Sequence, residues 1–393
     1  MRKIFNLILV LLPILSGYGF SVTLDFGSIA VFAFGILCFL ESPKFFKIRF
    51  PNGYLLFFVV ALLLSLLFAK NLPLRLILFS VNLCFACSYA DFDLLWKYYG
   101  KVVWLCCAFF IIQEAVFIAT GVRLNGMIPF LPTVYGVSGA RYMDVVTNLR
   151  ANTFFLEPSY LAQYLIPYTV CIFSNDKQTI KKAIIVSVVV LLVRSGMGVM
   201  ALSIVWLIWT FSSNIKVWIK ISVLALALSF LGVLFFTNSS VLGYISNRSA
   251  EMTSYGGTET YQSSGFVRFY RGYYVLAEIP LENKIFGTNP NDVEDIISKS
   301  KWFLLDDDRF LNGVQTLLLY HGIIGAFLYL RHVFLFLRKR RDKMVRVLTI
   351  CMLAFLIGES YYLSSRSFLM TIFLYLMVIS PKNLFIKQVD NYE

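Results

Sequence analysis

Long apolar segments recur along the chain, and shorter polar segments separate them. An α-helix of about 20 apolar residues crosses the ~30 Å hydrocarbon core of a bilayer. The pattern therefore predicts an all-α polytopic membrane protein with about twelve transmembrane helices. We expect these spans at residues 4–20, 22–40, 53–69, 72–90, 100–120, 154–173, 183–195, 197–212, 217–237, 311–337, 344–361 and 366–380.

The polar segments between the spans alternate in charge. Every second one is rich in lysine and arginine, as at 44–49 and 338–343. Short basic loops remain on the cytoplasmic side of a membrane. The alternation therefore predicts that both termini are cytoplasmic and that two longer polar stretches, 121–153 and 238–310, lie outside. The second stretch is the large outer loop of a single integral membrane domain, residues 1–393.

Composition supports the membrane interpretation and narrows the chemistry. Charged residues make up 15% of the chain, whereas globular domains carry about 25%. The net charge of +13 lies mostly in the short loops, so we attribute it to topology and expect no nucleic-acid partner. Neither G-x-x-x-x-G-K-[ST] nor G-x-G-x-x-G occurs, so no cofactor is expected. Two histidines are too few for a histidine metal site, and the run Asp306–Asp308 is more typical of a solvated loop, so no metal is expected.

The first candidate site residues lie where the sixth span begins, in the sequence R-A-N-T-F-F-L-E-P-S-Y-L. Charges at a membrane boundary are costly and are often functional. Arg150 offers paired donors to a phosphate or pyrophosphate, and the alternative is an interface anchor. Glu157 precedes Pro158, a residue favoured in the first turn, so a helix should begin there. Its carboxylate is suited to accept a proton from a sugar hydroxyl, to hold an arginine, or only to complement the helix dipole.

Ser159 and Tyr160 follow in the same segment, and their hydroxyls are weaker candidates to line a substrate site. Arg194 interrupts the next apolar stretch in R-S-G-M-G, where it requires an anionic partner from the protein or a ligand. Arg268 and Arg271 lie three residues apart in a predicted amphipathic helix that Pro280 ends. This pair is typical of an outward-facing anion site, and salt bridges within the loop are the alternative.

His321 lies inside a predicted span, where a packing role and a role in proton transfer or substrate binding both remain open. Glu359 and Arg366 lie on either side of a short turn, where we expect them to pair. With Arg150, Glu157 and Arg194, these charges fall near the outer ends of different spans. The sequence therefore predicts a site at the outer face.

The order of several short motifs resembles the O-antigen polymerase and ligase superfamily, in particular its polymerase (Wzy) members. No single motif is specific; the resemblance covers residues 150–330 by motif and the whole chain by topology. The histidine typical of ligases falls on Leu311 here, which disfavours a ligase. The motifs are F-L-E-P-S-Y at Phe155–Tyr160 after Arg150, V-R-S-G at Val193–Gly196, I-F-G at Ile285–Gly287, and Asn312 with Y-H-G-I-I-G at Tyr320–Gly325.

The resemblance implies a membrane glycosyltransferase of the bacterial inner (cytoplasmic) membrane that makes lipopolysaccharide or capsule chains. Its substrates would be undecaprenyl-pyrophosphate-linked glycans within the membrane lipid, joined at the outer face without a nucleotide or metal. A chain-length regulator and a flippase would accompany it. The resemblance also suggests Glu157 and Arg194 as catalytic residues and Arg150, Arg268, Arg271, Ser159, Tyr160 and His321 as substrate-binding residues.

Two other interpretations remain open from the sequence. A glycan-lipid flippase or other transporter would also have about twelve spans and buried charges. It should, however, show two pseudo-symmetric halves and a site near the middle of the membrane. An O-antigen ligase is the alternative within the superfamily.

Overall fold

The computed structural model describes residues 1–68, 72–128, 130–134, 150–172, 179–212, 264–288, 290–300, 302, 310–339 and 343–379. These residues are mainly helical, and the β-structure among them consists of isolated bridges. The helices are α1 (Arg2–Leu15), α2 (Phe26–Glu41), α3 (Tyr54–Leu67), α4 (Leu74–Tyr89), α5 (Phe92–Thr120), α6 (Pro158–Ile172), α7 (Thr179–Leu192), α8 (Gly196–Ser212), α9 (Ser264–Phe269), α10 (Arg271–Glu278), α11 (Leu281–Phe286), α12 (Pro290–Lys299), α13 (Gly313–Lys339), α14 (Lys343–Gly358) and α15 (Ser365–Ile379).

Eleven of the predicted spans coincide with a helix, with shifted ends. The span predicted at 217–237 lies outside the described residues. Two helices, Phe92–Thr120 and Gly313–Arg338, are long and apolar enough to cross a membrane alone, and several shorter apolar helices pack beside them. The second carries exposed apolar residues at Ile323, Phe327 and Phe334. Such an apolar face on the outside of a helical bundle is suited to contact lipid.

Local sequence signals account for several helix boundaries. Asp25 caps α2 because its carboxylate accepts a hydrogen bond from the Ser28 amide at 2.8 Å. Asp91 caps α5 in the same way. Pro158 is the first residue of α6, so the helix begins where the sequence predicts. These caps place polar groups at the ends of otherwise apolar helices.

The core forms around α6 and α15, which are buried over nearly their whole lengths. Helix α15 packs against α1, α4 and α14, and α6 packs against α7, α8 and α14. Gly198 lets α8 approach α6 closely, since a Cβ there would lie 2.6 Å from the Cβ of Ala162. The central position of these two helices brings their first turns together.

One end of the bundle, which we call the site end, contains the last turn of α1 and the first turns of α2, α4, α6 and α15. Ser16 and Ser365 share a hydrogen bond of 2.6 Å there, and Arg75 Nη2 donates to the Leu363 carbonyl at 3.3 Å. At the opposite end the amino group of Met1 lies 3.3 Å from Glu41. Residues distant in the chain therefore converge at the site end.

The part of the predicted outer loop that the structure describes contains α9 to α12. The expected single helix over 268–280 is wrong, because the chain breaks at Tyr270 between α9 and α10. Further along, α13 contains a kink at Gly322, where φ is 61° and ψ is −172°. A Cβ at Gly322 would lie 2.2 Å from the Ile285 carbonyl oxygen, so this position requires glycine. The kink thereby seats the end of α11 directly against α13.

Candidate active site

An ion pair between Arg268 and Glu359 lies at the site end. Arg268 Nη1 donates to Glu359 Oε1 at 2.8 Å, and the carboxylate is almost completely buried. Glu359 lies in the turn beyond α14. Burial raises the pKa of its carboxyl group, while the Arg268 guanidinium acts in the opposite direction and nearby Glu157 adds to the rise. The expected partner of Glu359 was Arg366. Arg268, which reaches across from α9, forms the ion pair instead, and Arg366 acts on the carboxylate only at longer range.

The start of α13 positions both loop arginines. Asn312 donates from Nδ2 to the Arg268 carbonyl at 2.8 Å and accepts from the Gln315 amide at 2.8 Å. Arg271 Nη2 donates to the Phe310 carbonyl at 2.8 Å, and only 1% of Arg271 is exposed. The predicted outward-facing pair is therefore wrong: Arg268 is half-buried beside Glu359, whereas Arg271 is enclosed and contacts the backbone.

Glu157 and its neighbours form the adjacent wall of the site. Ser159 Oγ donates to Glu157 Oε2 at 3.0 Å. The guanidinium carbon of Arg366 lies 3.5 Å from the ring centroid of Tyr160, a cation–π contact. Arg366 Nη2 also donates to the Ser360 carbonyl at 3.3 Å. The two turns that carry Glu157 and Glu359 are thus joined through Tyr160 and Arg366.

Arg150 and Arg194 meet beside this wall. Arg150 Nη1 donates to the Arg194 carbonyl at 3.2 Å, so the two segments are adjacent. Arg194 has a φ of 56°, which is unusual for a residue with a side chain, and this conformation turns the chain sharply between α7 and α8. Its side chain is exposed, which leaves a cation accessible at the edge of the site.

His321 occupies a different environment. It is buried beside the Gly322 kink, and its Nε2 shares a 2.6 Å hydrogen bond with the Tyr362 hydroxyl. Phe57 packs against its ring edge. The contacts of His321 in the described part of the chain are therefore those of a packed residue, and its predicted role in substrate binding has no support from them.

Three further polar residues at the site end, Asp25, Arg75 and Asn82, were not among the candidates from the sequence. They line a cavity together with Tyr160 and Arg366. The available signal for Asp25 and Arg75 was an ionisable side chain near the start of a predicted span, whereas Asn82 is an amide inside its span. In the described ranges, no three His, Cys, Asp or Glu residues are grouped as metal ligands would be, and Asp306–Asp308 lies outside those ranges.

The site therefore combines several arginines with two carboxylates at one end of a helical bundle. Such an arrangement is suited to bind an anionic group and to accept a proton beside it. The family model of the WcaD colanic acid polymerases matches residues 29–379. The chain belongs to this family. A search of curated proteins found no match.

As a member of the WcaD colanic acid polymerase family, the protein is a membrane polymerase that joins lipid-linked oligosaccharide repeat units. The match includes every candidate site residue that the sequence suggested, from Arg150 to His321, and it begins four residues after Asp25. It favours neither the flippase nor the ligase interpretation. The motifs that carried the resemblance also contact one another, as at Arg150 with Arg194 and at Gly287 with the Tyr320 carbonyl.

Proposed function

We propose that the protein transfers a growing glycan from undecaprenyl pyrophosphate to the terminal sugar of a second undecaprenyl-pyrophosphate-linked repeat unit. The reaction takes place at the outer face of the bacterial inner membrane, in a single domain of twelve spans whose termini are both cytoplasmic. The observation that carries the proposal is that Arg268 pairs with the buried Glu359 and Arg366 stacks on Tyr160 at the same end of the bundle. Arg150 also contacts the turn before α8, which carries Arg194.

In the proposed reaction, the acceptor hydroxyl attacks the anomeric carbon of the growing chain. The bond from that carbon to the pyrophosphate oxygen breaks, and the pyrophosphate leaves with the electron pair. Guanidinium groups bind pyrophosphate oxygens through paired, charge-assisted hydrogen bonds and so stabilise the leaving group. We assign this role to Arg150, Arg194 and Arg268, with the neighbouring Arg271 holding the loop in place.

Glu157 is the proposed acceptor of the hydroxyl proton. Its carboxylate is partly exposed and held by Ser159, whereas Glu359 is buried and engaged by Arg268. A general base must be reachable by the hydroxyl that it deprotonates. We therefore assign proton transfer to Glu157 and the positioning of Arg268 to Glu359. Tyr160 orients Arg366 through its ring, and a chain-length regulator and a flippase are the proposed partners of the enzyme.

The test is deletion of the gene in the native host, followed by complementation and electrophoresis of surface and lipid-linked glycans. We expect the deletion strain to display single repeat units without the ladder of longer chains. Wild-type protein should restore the ladder, Glu157→Gln should not, and Glu41→Gln at the opposite end of the bundle is the matched control. Repeat units trapped on the cytoplasmic side would indicate a flippase, and full-length chains stranded on the carrier lipid would indicate a ligase.

A further inference from the structure

A cavity of about 200 Å³ opens at the site end, beside the Arg268–Glu359 pair and separate from it. Its walls come from the first turns of α2, α4 and α15 and from the turn before α15. Tyr160 and Arg366 line it as well, and we call this stacked pair the aromatic partition. Leu156, the residue before Glu157, also lines the cavity. A group bound in the cavity would therefore lie next to the proposed proton acceptor.

Positive charge exceeds negative charge around the cavity. Arg75 and Arg366 contribute two guanidinium groups, and Asp25 contributes the one carboxylate among the described lining residues. That carboxylate accepts hydrogen bonds from the Ser28 amide and hydroxyl, since it caps α2. The amino-terminal ends of α2, α4 and α15 face the same region and add the positive ends of three helix dipoles, whereas the carboxyl-terminal end of α1 adds one negative end. The cavity is therefore suited to an oxyanion.

Two buried polar atoms of the lining residues have no hydrogen-bond partner in the described part of the chain. One is Arg366 Nη1, a donor, and the other is Asn82 Oδ1, an acceptor. Arg366 is 8% exposed and Asn82 is 3% exposed. Buried groups of this kind are normally paired with protein, water or ligand. A single ligand that satisfied both atoms would carry an acceptor for Arg366 and a donor for Asn82, and an anion with hydroxyl groups offers both.

The size of the cavity sets a second limit on its ligand. A cavity of about 150 Å³ in another protein holds a single benzene molecule. The volume here is therefore sufficient for one six-membered ring with substituents. Tyr160 adds an aromatic residue to the lining, as is common beside sugar rings.

We infer that the cavity binds one sugar ring bearing an oxyanion, either a phosphate or a carboxylate. The inference rests on the proposed function, because the ring would belong to the lipid-linked repeat unit held beside Glu157. Arg75 and Arg366 bind the oxyanion, and Asn82 accepts from a ring hydroxyl. Arg75 thereby becomes a residue that selects the repeat unit, apart from the arginines that bind the leaving pyrophosphate.

The test is calorimetric titration of the full-length protein in lipid nanodiscs with glucose 1-phosphate, glucuronate and glucose. We expect at least one charged sugar to bind and neutral glucose to bind at least about tenfold more weakly. Binding of the phosphate alone would assign the site to the sugar attached to the carrier lipid. Binding of glucuronate would assign it to an acidic sugar within the glycan. Equal binding of all three probes, or of none, would overturn the inference.

Three variants test whether the charged sugar binds in this cavity. Arg75→Gln should weaken binding of the charged sugar about tenfold or more, and it should fold normally because Arg75 is exposed. Asn82→Leu should weaken binding of the charged sugar to a smaller extent. Arg338→Gln, at an exposed arginine of α13 outside the cavity lining, is the matched control and should bind as wild type does. Unchanged binding in Arg75→Gln would refute the assignment.

The same variants separate this inference from the proposed function. Wild-type protein that restores long chains in the deletion strain and yet binds neither charged sugar would overturn the cavity assignment and leave the polymerase mechanism intact. If Glu157→Gln restores the ladder while the wild-type protein binds a charged sugar through Arg75, the proposed mechanism fails and the sugar site stands.

Discussion

The ion pair between Arg268 and Glu359 allows a quantitative prediction, because its two partners differ in burial. The Glu359 side chain is 4% exposed and the Arg268 side chain is 32% exposed. Removing the arginine leaves a buried carboxylate without its hydrogen-bonded countercharge, and only the more distant Arg366 remains to offset it. Removing the carboxylate leaves an arginine that water can reach. Arg268→Gln should therefore destabilise the protein more than Glu359→Gln does.

The expected magnitudes follow from the same geometry. The atoms of the pair are 2.8 Å apart. Breaking a buried ion pair by removing one partner costs about 3–5 kcal/mol. Because water reaches Arg268, we expect Arg268→Gln to lie at the lower end of this range, at about 3 kcal/mol. Glu359→Gln should cost about 1 kcal/mol, close to the value for an exposed pair. The double variant should be destabilised by about 2 kcal/mol less than the sum of the losses in the two single variants.

The assay is thermal unfolding of each purified variant in the same detergent. We expect Tm to fall by about 5 °C or more for Arg268→Gln and by about 2 °C for Glu359→Gln. Lys299→Gln, which breaks the exposed Lys299–Asp295 pair, is the control and should change Tm little. Equal and additive losses from the two single variants would refute the reasoning.

The dependence on pH provides an independent check of the same prediction. Burial raises the folded-state pKa of Glu359, so the folded state binds its proton more readily than the unfolded state does. The Glu359 carboxyl group therefore lowers the free energy of unfolding as pH rises from its unfolded-state pKa to its folded-state pKa. Below the unfolded-state pKa this loss is absent. In Arg268→Gln the opposing effect of the guanidinium is lost, so the stability deficit relative to wild type should narrow as pH falls. A deficit that is independent of pH would contradict the prediction.

Three further predictions concern the kink, the proposed base and the aromatic partition. Gly322→Ala should lower Tm by several degrees, because a Cβ meets the 285 carbonyl at 2.2 Å and φ is positive, whereas Gly196→Ala meets nothing within 4 Å and should be nearly neutral. Glu157→Gln should abolish the ladder of long chains without lowering the amount of protein in the membrane; a normal ladder would exclude it as the base. Tyr160→Phe should keep the cation–π contact with Arg366, whereas Tyr160→Leu should lose that contact and about 1 kcal/mol in thermal unfolding.

Hydrophobic patterning located most of the helices because burial and lipid contact both select apolar residues over a whole helix. It could not locate the break at Tyr270, since a helix of six residues and a helix of eight residues present much the same local pattern as one longer helix. The start of α6 was predictable because Pro158 acts on its own first turn. Signals that act within one turn were therefore visible in the sequence.

In the candidate site, too, local signals were visible in the sequence and contacts between distant residues were not. Arg150, Glu157 and Arg194 were identified because a charge beside an apolar run is unusual. The partners of these charges were not identified from the sequence. Glu359, for example, pairs with Arg268, 91 residues away in the chain, rather than with the nearby Arg366. Arg75 was overlooked because its importance depends on a cavity to which several distant segments contribute.

The sequence by itself determined the class of the protein, the approximate positions of eleven of its helices and the resemblance to its polymerase family. These properties depend on local composition and on interactions within a few turns, and hydrophobicity acts on each segment independently. Only the tertiary structure decided which arginine meets which carboxylate, that Gly287 and Gly322 seat a loop in a kinked helix, and that a polar cavity lies beside Glu157. Those pairings depend on how apolar helices pack, and many packings satisfy the same apolar pattern.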